Sequence, residues 1–110
     1  MWENCKTLQN DLVSMRRDLH RIPELGKELP KTRAYVENKL REYGIEYTLS
    51  ELDSGLIAEI KGGMPGKTIA LRADMDALPI TEETGVDYMS EHPGCIFEVS
   101  SSLMKLPNVA

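Results

Sequence analysis

No run in this 110-residue sequence is apolar for long enough to cross a bilayer, which removes a membrane-spanning helix from consideration. Blocks of basic charge are also missing. Thirteen Lys and Arg are scattered among eighteen Asp and Glu, for a formal charge of −5, so nucleic acid and anionic lipid find no electrostatic footprint. Cysteine is nearly absent: Cys5 and Cys95 stand far apart and form no Cys-x-x-Cys pair, so free thiols are expected rather than a disulfide. The stretch MWENCKTLQNDL is polar and acidic where a secretory leader turns from basic to apolar, and the cytoplasm is the expected compartment. No Walker-type glycine loop, Gly-x-Ser-x-Gly elbow, His-Glu-x-x-His helix or dinucleotide fingerprint occurs.

What is present is ordinary globular material. A hydrophobic fraction of 41% and a charged fraction of 28% fit one small domain with a modest core and exclude neither an enzyme nor a binding module. Leu8, Leu12, Met15, Leu19 and Ile22 recur at helical spacing, predicting an amphipathic helix over residues 4–21 that Pro23 brings to an end. A turn, IPELGKE, follows. Thr32, Val36, Leu40 and Tyr43 predict a second helix over residues 29–43, with Pro30 in its first turn and Gly44 as its left-handed cap.

Beyond Gly44 the period changes to two. Ile45, Tyr47 and Leu49 alternate with polar residues, GLIAEIKGG reads as a second strand and GKTIALRAD as a third, with GGMPGK as a hairpin link between the second and third. Further on, ITEETG reads as the opening of a short helix capped by Thr81.

The chemistry-bearing residues are few. Thr68, Ile69, Ala70 and Leu71 run as an apolar strand straight into Asp74 and Asp76, which a continuing strand would present on one side. Such a pair can bind a divalent metal or orient a histidine ligand. A solvated turn or an N-cap uses the same spacing, and spacing alone favours that reading. His20 is expected to satisfy the end of its helix, where the dipole favours an imidazole. His92 is expected to be solvated, and Glu82 and Glu83 to be surface charge.

The stretches MRRDLHRIPELGKEL, KTRAYVENKLREYGI, GLIAEIKGG and, above all, TIALRADMDALPITEETGVDYMSEHPG resemble the start of the metal-dependent N-acyl-amino-acid amidohydrolases. That group includes aminoacylase-like, hippurate-hydrolase-like and indole-acetyl-amino-acid-hydrolase-like enzymes of the zinc exopeptidase superfamily. The resemblance runs in order over residues 11–95. It implies an α/β fold: two N-terminal helices followed by strands of a mixed sheet, an incomplete part of a zinc-exopeptidase-like catalytic domain. Residues 1–95 would form that part, and residues 96–110 a tail discordant with the family, expected as loop or disordered.

By position, the resemblance implies that Asp76 stands beside a two-metal centre, orients a metal-ligating histidine and so supports the hydroxide that attacks an amide carbonyl. Asp74 shares that strand end, where related exopeptidases place a metal-binding histidine. The family's metals are zinc, manganese or cobalt, and its substrates are N-acyl amino acids. After the Pro-Gly that matches Pro93 and Gly94, the family continues into a Met-His-Ala-Cys-Gly-His-Asp segment that holds metal, whereas this chain reads CIFEVSSSLMKLPNVA. Cys95 matches a residue that precedes that segment and is not counted as a ligand.

Two carboxylates do not replace the N, S and O donors of a zinc-type hydrolytic site. The expectation is therefore an N-terminal fragment of an amidohydrolase that alone binds no metal and cleaves no amide, with a sheet face and strand edges left exposed. An altered reading frame or an early stop would leave such a tail. Two alternatives stay open: a non-catalytic binding or regulatory module that pairs with a full-length relative through the sheet edge, and one half of a split enzyme completed by a complementary chain.

Overall fold

The computed structural model describes residues 2–96, in the order α1 (Trp2–Thr7), α2 (Gln9–Arg21), α3 (Pro30–Glu42), β1 (Glu46–Leu49) and β2 (Leu56–Glu59). The tail expected over residues 96–110 lies outside the described residues except for Ile96. The expected α/β fold of N-terminal helices followed by strands is present, with local departures from the expected elements.

The helix expected over residues 4–21 is broken at Leu8. Thr7 turns its hydroxyl back onto the Asn4 carbonyl at 2.7 Å, and the Leu8 amide reaches only three residues back, to Cys5, at 3.2 Å. A Thr hydroxyl that competes for a helix carbonyl in this way favours a bend. The apolar stripe is correspondingly little used at its start, where Leu8 and Leu12 stay exposed, and becomes half-buried from Met15 onward.

The second helix forms as its punctuation requires. Pro30 occupies the first turn of α3, where its missing N–H costs nothing. At the other end Gly44 takes φ +68°, its amide bonding the Arg41 carbonyl at 3.1 Å while the Ile45 amide bonds the Leu40 carbonyl at 2.9 Å. That pair of bonds is a Schellman closure, and the left-handed backbone it demands is why glycine stands there. Helices α2 and α3 are tied through Asp18, which accepts the Tyr35 hydroxyl at 2.8 Å and the Arg21 guanidinium at 3.2 Å.

Strands β1 and β2 pair antiparallel, Glu46 opposite Glu59 and Leu49 opposite Leu56. The hairpin thus joins the first two strands, and the one expected between the second and third is absent from the described residues. The stretch 67–73 belongs to no ladder, and Ile69 and Leu71 are 70% and 87% exposed. A strand exists only with a ladder partner, and among the described residues none pairs with this stretch. The helix expected from Thr81 is also absent.

The core lies at the corner between α2 and α3. Leu29 and Ala77 are its buried apolar residues, joined by buried Pro23, His20, Thr32 and Ser54. Polar bonds bring distant parts of the chain to this corner. The β1–β2 loop docks by the Ser54 hydroxyl accepting the Leu29 amide at 2.6 Å and the Ser54 amide donating to the Lys27 carbonyl at 2.9 Å. With so little apolar burial, these bonds to otherwise unsatisfied amides carry much of the corner's specificity.

Candidate functional site

Asp74 and Asp76 follow the unpaired stretch 67–73, so the strand that was expected to align their side chains is not formed. Asp74 is exposed and accepts the Arg72 guanidinium at 2.9 Å, a local pair between residues two apart. Asp76 is also exposed, but its neighbour Ala77 is 5% exposed and donates its amide to the Glu24 carbonyl at 2.7 Å. Next to it, Leu78 and Ile96 exchange both backbone bonds, 2.8 and 3.0 Å, in an antiparallel bridge. Asp76 therefore protrudes from the point where its segment is anchored to the helical corner.

A second cluster lies on the other side of that anchor. His20 at the C-terminal end of α2 and Glu82 meet at 2.9 Å, Nε2 to Oε1, with side chains only 8% and 2% exposed. Glu82 also accepts the Thr84 hydroxyl on Oε1 and the Ser90 amide at 2.7 Å on Oε2. These donors, Thr84 first and then His20 and Ser90, hold the Glu82 carboxyl down at about 2, against the smaller upward push of desolvation. Tyr88 covers His20 edge-on with ring centroids 5.9 Å apart, and the Arg17 guanidinium lies 4.5 Å from the centre of the Tyr88 ring.

Three sequence expectations change here. Glu82 is a buried acceptor and not surface charge; a carboxylate with three donors tolerates burial. The His20 ring bonds a carboxylate from across the fold, so its helix-end position is not used merely to satisfy its own carbonyls. His92 is half-buried, with Nε2 3.3 Å from Lys31 Nζ. Sequence spacing carries no signal for the His20–Glu82 pair, whose members are 62 residues apart.

The donors do not assemble a metal site by themselves. Among the described residues no group of three or more His, Cys, Asp and Glu side chains is placed to hold a metal ion. Asp74 is committed to Arg72, and the Glu82 oxygens to protein donors. A zinc-type centre needs at least three protein donors converging on one point, and this arrangement does not provide them. Two shallow grooves, one beside Tyr47 and Ile57 and one along α2 beside Ser14 and Arg17, include neither Asp74 nor Asp76.

Comparison with known proteins places this geometry. The chain is 47% identical over 91 residues to an N-acetyl-L-cysteine deacetylase of Bacillus subtilis, covering 83% of this chain and 22% of the relative. It is 44% identical over 86 residues to an N-acetyldiaminopimelate deacetylase of Listeria innocua, covering 77% of this chain and 23% of the relative. The crystal structure of a dinuclear metal binding peptidase of the M20 family from Bacillus subtilis matches with a TM-score of 0.77 and 42% identity, over 84% of this chain and 26% of that one. No family model matches the chain.

The fold is thus that of part of an M20-type peptidase domain. The chain matches an N-terminal portion of these amidohydrolases and spans less than a quarter of the length of the two curated relatives.

Proposed function

We propose that this chain supplies the N-terminal portion of a metal-dependent amidohydrolase that cleaves the amide bond of N-acyl amino acids, and that alone it is not a hydrolase. The observation that carries the reading is the match to a dinuclear metal binding peptidase, at 42% identity and a TM-score of 0.77 over 84% of the chain. The deacetylase relatives support acetylated amino acids as the substrate class.

Asp76 is the residue assigned to orient a metal-ligating histidine contributed by the rest of a catalytic domain; Asp74 lies beside it. The metals expected in such a domain are zinc, manganese or cobalt. The cytoplasm is the compartment proposed: no helix of the described residues is long and apolar enough to cross a membrane, and Cys5 and Cys95 are free thiols.

Calorimetric titration of the chain with Zn²⁺ and Mn²⁺, set against Asp76→Ala, tests the second half of the proposal. The expected result is no binding beyond that of the variant; tight stoichiometric binding lost in Asp76→Ala would overturn it. For the first half, the chain is mixed with the separately expressed remainder of the Bacillus subtilis N-acetyl-L-cysteine deacetylase. Metal-dependent release of acetate from an N-acetyl amino acid, lost with Asp76→Ala, is the supporting result, and a complex without such activity counts against it.

A second reading has its own observation. In β2 and the chain beyond it, Ile57 and Ile60 are 73% and 79% exposed, and among the described residues β2 is paired only with β1. An open edge beside exposed apolar side chains suits strand addition to another chain, either a full-length relative or a complementary half. Size measurements alone and with such a relative separate this reading from a monomeric portion.

A further inference from the structure

We propose that His20 is a positioning residue for Asp76: by holding Glu82 it staples the segment that follows Asp76 to the same helical corner that anchors Ala77. This rests on the reading of Asp76 given above, but its structural content stands apart from catalysis.

The segment after Asp76 is attached to the corner at both ends. At one end the Ala77 amide bonds the Glu24 carbonyl at 2.7 Å; at the other Glu82 meets His20 at 2.9 Å. The two attachment points on the corner, His20 in the last turn of α2 and Glu24 in the turn after it, are four residues apart. The stretch between Ala77 and Glu82 is thus a short loop with one foot on the last turn of α2 and the other on the turn that follows it. Leu78, bridged to Ile96, closes it laterally.

Among the described residues, regular structure does not hold this segment. Residues 79–86 contain no helix or strand, and Pro79, Ile80 and Glu83 are exposed. The loop's own backbone offers one short turn bond, Ile80 to Leu78 at 2.8 Å. Glu82 compensates by serving as a hub: it takes the imidazole, the Thr84 hydroxyl and the Ser90 amide, so the turn 82–90 is folded around one carboxylate. Past that turn the Glu91 amide bonds the Arg21 carbonyl at 2.9 Å, a third attachment to the end of α2. Removal of the imidazole leaves a buried carboxylate with one donor fewer, and the least costly response is for Glu82 to turn to solvent and release the loop. Asp76, which precedes the Ala77 anchor, then sits on a backbone held at one end only.

The test uses the whole chain, free of metal, with His20→Leu removing the donor and His20→Gln restoring an N–H at nearly the same reach. Amide hydrogen exchange is followed at Ala77, Ser90 and Glu91, with Tyr43 of the α3 closure as internal reference, and the ¹³C carboxyl shift of Asp76 is recorded in parallel. In His20→Leu, exchange at those three amides is expected to rise about tenfold or more while Tyr43 stays unchanged, as for local release of one unit. The Asp76 carboxyl shift is expected to move toward its value in a short peptide, and His20→Gln is expected to restore both.

Uniform acceleration that includes Tyr43 would make His20 a general stability residue and overturn the proposal. So would an unmoved Asp76 shift. Should His20→Leu fail to fold, Thr84→Val removes a different donor from the same carboxylate and is expected to give the same pattern more weakly; no change at Ala77, Ser90 and Glu91 in that variant also overturns it. A chain that passes this test but yields no metal-dependent activity with its complement would sink the functional reading and leave the staple standing.

Discussion

The Glu24 carboxylate accepts the backbone N–H of Thr32 at 2.6 Å, and so caps α3 from outside the helix. The residue at the N-cap position, Leu29, has no side-chain acceptor to offer, and Thr32 is fully buried, so its amide has no access to water. Glu24 fills that vacancy while its own carbonyl receives the Ala77 amide. One residue thereby fixes a helix start and the anchor beside Asp76.

Glu24→Ala is expected to destabilise the chain by about 1 kcal/mol, the usual cost of a lost N-terminal acceptor. Glu24→Gln keeps an acceptor oxygen and is expected to lose less. Urea unfolding of the three proteins checks the order, and equal stability of Glu24→Ala and the parent would remove the cap from the account.

Acid should act through Glu82. Its carboxyl is held at about 2 in the fold against 4.5 for the free side chain, so the folded state binds this proton less readily than the unfolded one. The contribution to stability is therefore fully present above the unfolded value and lost as pH falls from about 4.5 toward about 2. Thermal melts across that window should show the midpoint dropping, and Glu82→Gln should flatten that part of the profile. A profile identical in the variant would assign the acid sensitivity to other carboxylates.

Alkali acts through a different contact. The Tyr35 hydroxyl donates to Asp18, and burial first, then this hydrogen bond and the charge of Asp18, pushes its ionisation well above the ordinary tyrosine value of 10.0. A phenol whose ionisation is raised stabilises the fold while it is protonated in both states, and that contribution is lost as pH climbs beyond its unfolded value. Tyr35→Phe should cost about 0.5–1.5 kcal/mol near neutral pH, as for one hydrogen bond between half-buried groups. It should also remove the loss of stability above pH 10, which denaturant titration at two pH values can establish.

The helices were legible because their signals are local. Pro30 and Gly44 mark the ends of α3 by what each does to its own backbone, and Pro23 marks the end of α2 in the same way. The family, too, was legible, from contiguous stretches such as RADMDALP. What could not be read was whatever depends on distant partners. The apolar run at residues 68–71 has the composition of a buried strand, but among the described residues no neighbour pairs with it. Glu82 looked like a helix-start acid because its donors, His20 and the Ser90 amide, come together only in the folded chain. The break at Leu8 was missed for the opposite reason: a single Thr hydroxyl outweighs a continuous apolar period.

The left-handed backbone of Gly44 allows the α3 closure to be tested without disturbing any contact. An added Cβ would meet nothing within 4 Å, so Gly44→Ala isolates the backbone cost from crowding. At φ +68° that cost is about 1–2 kcal/mol for an alanine, because its Cβ approaches the following carbonyl. Gly44→Asn should lose less, since a short polar side chain tolerates this region better. If both variants unfold at the parent's urea midpoint, then the Gly44 and Ile45 amides do not depend on the left-handed turn, and the entry into β1 must be held by the Tyr47 hydroxyl, which donates to Glu37 of α3 at 3.0 Å. Tyr47→Phe distinguishes the two: a large loss there with none at Gly44 would move the joint between helix and hairpin from the backbone to that side-chain bond.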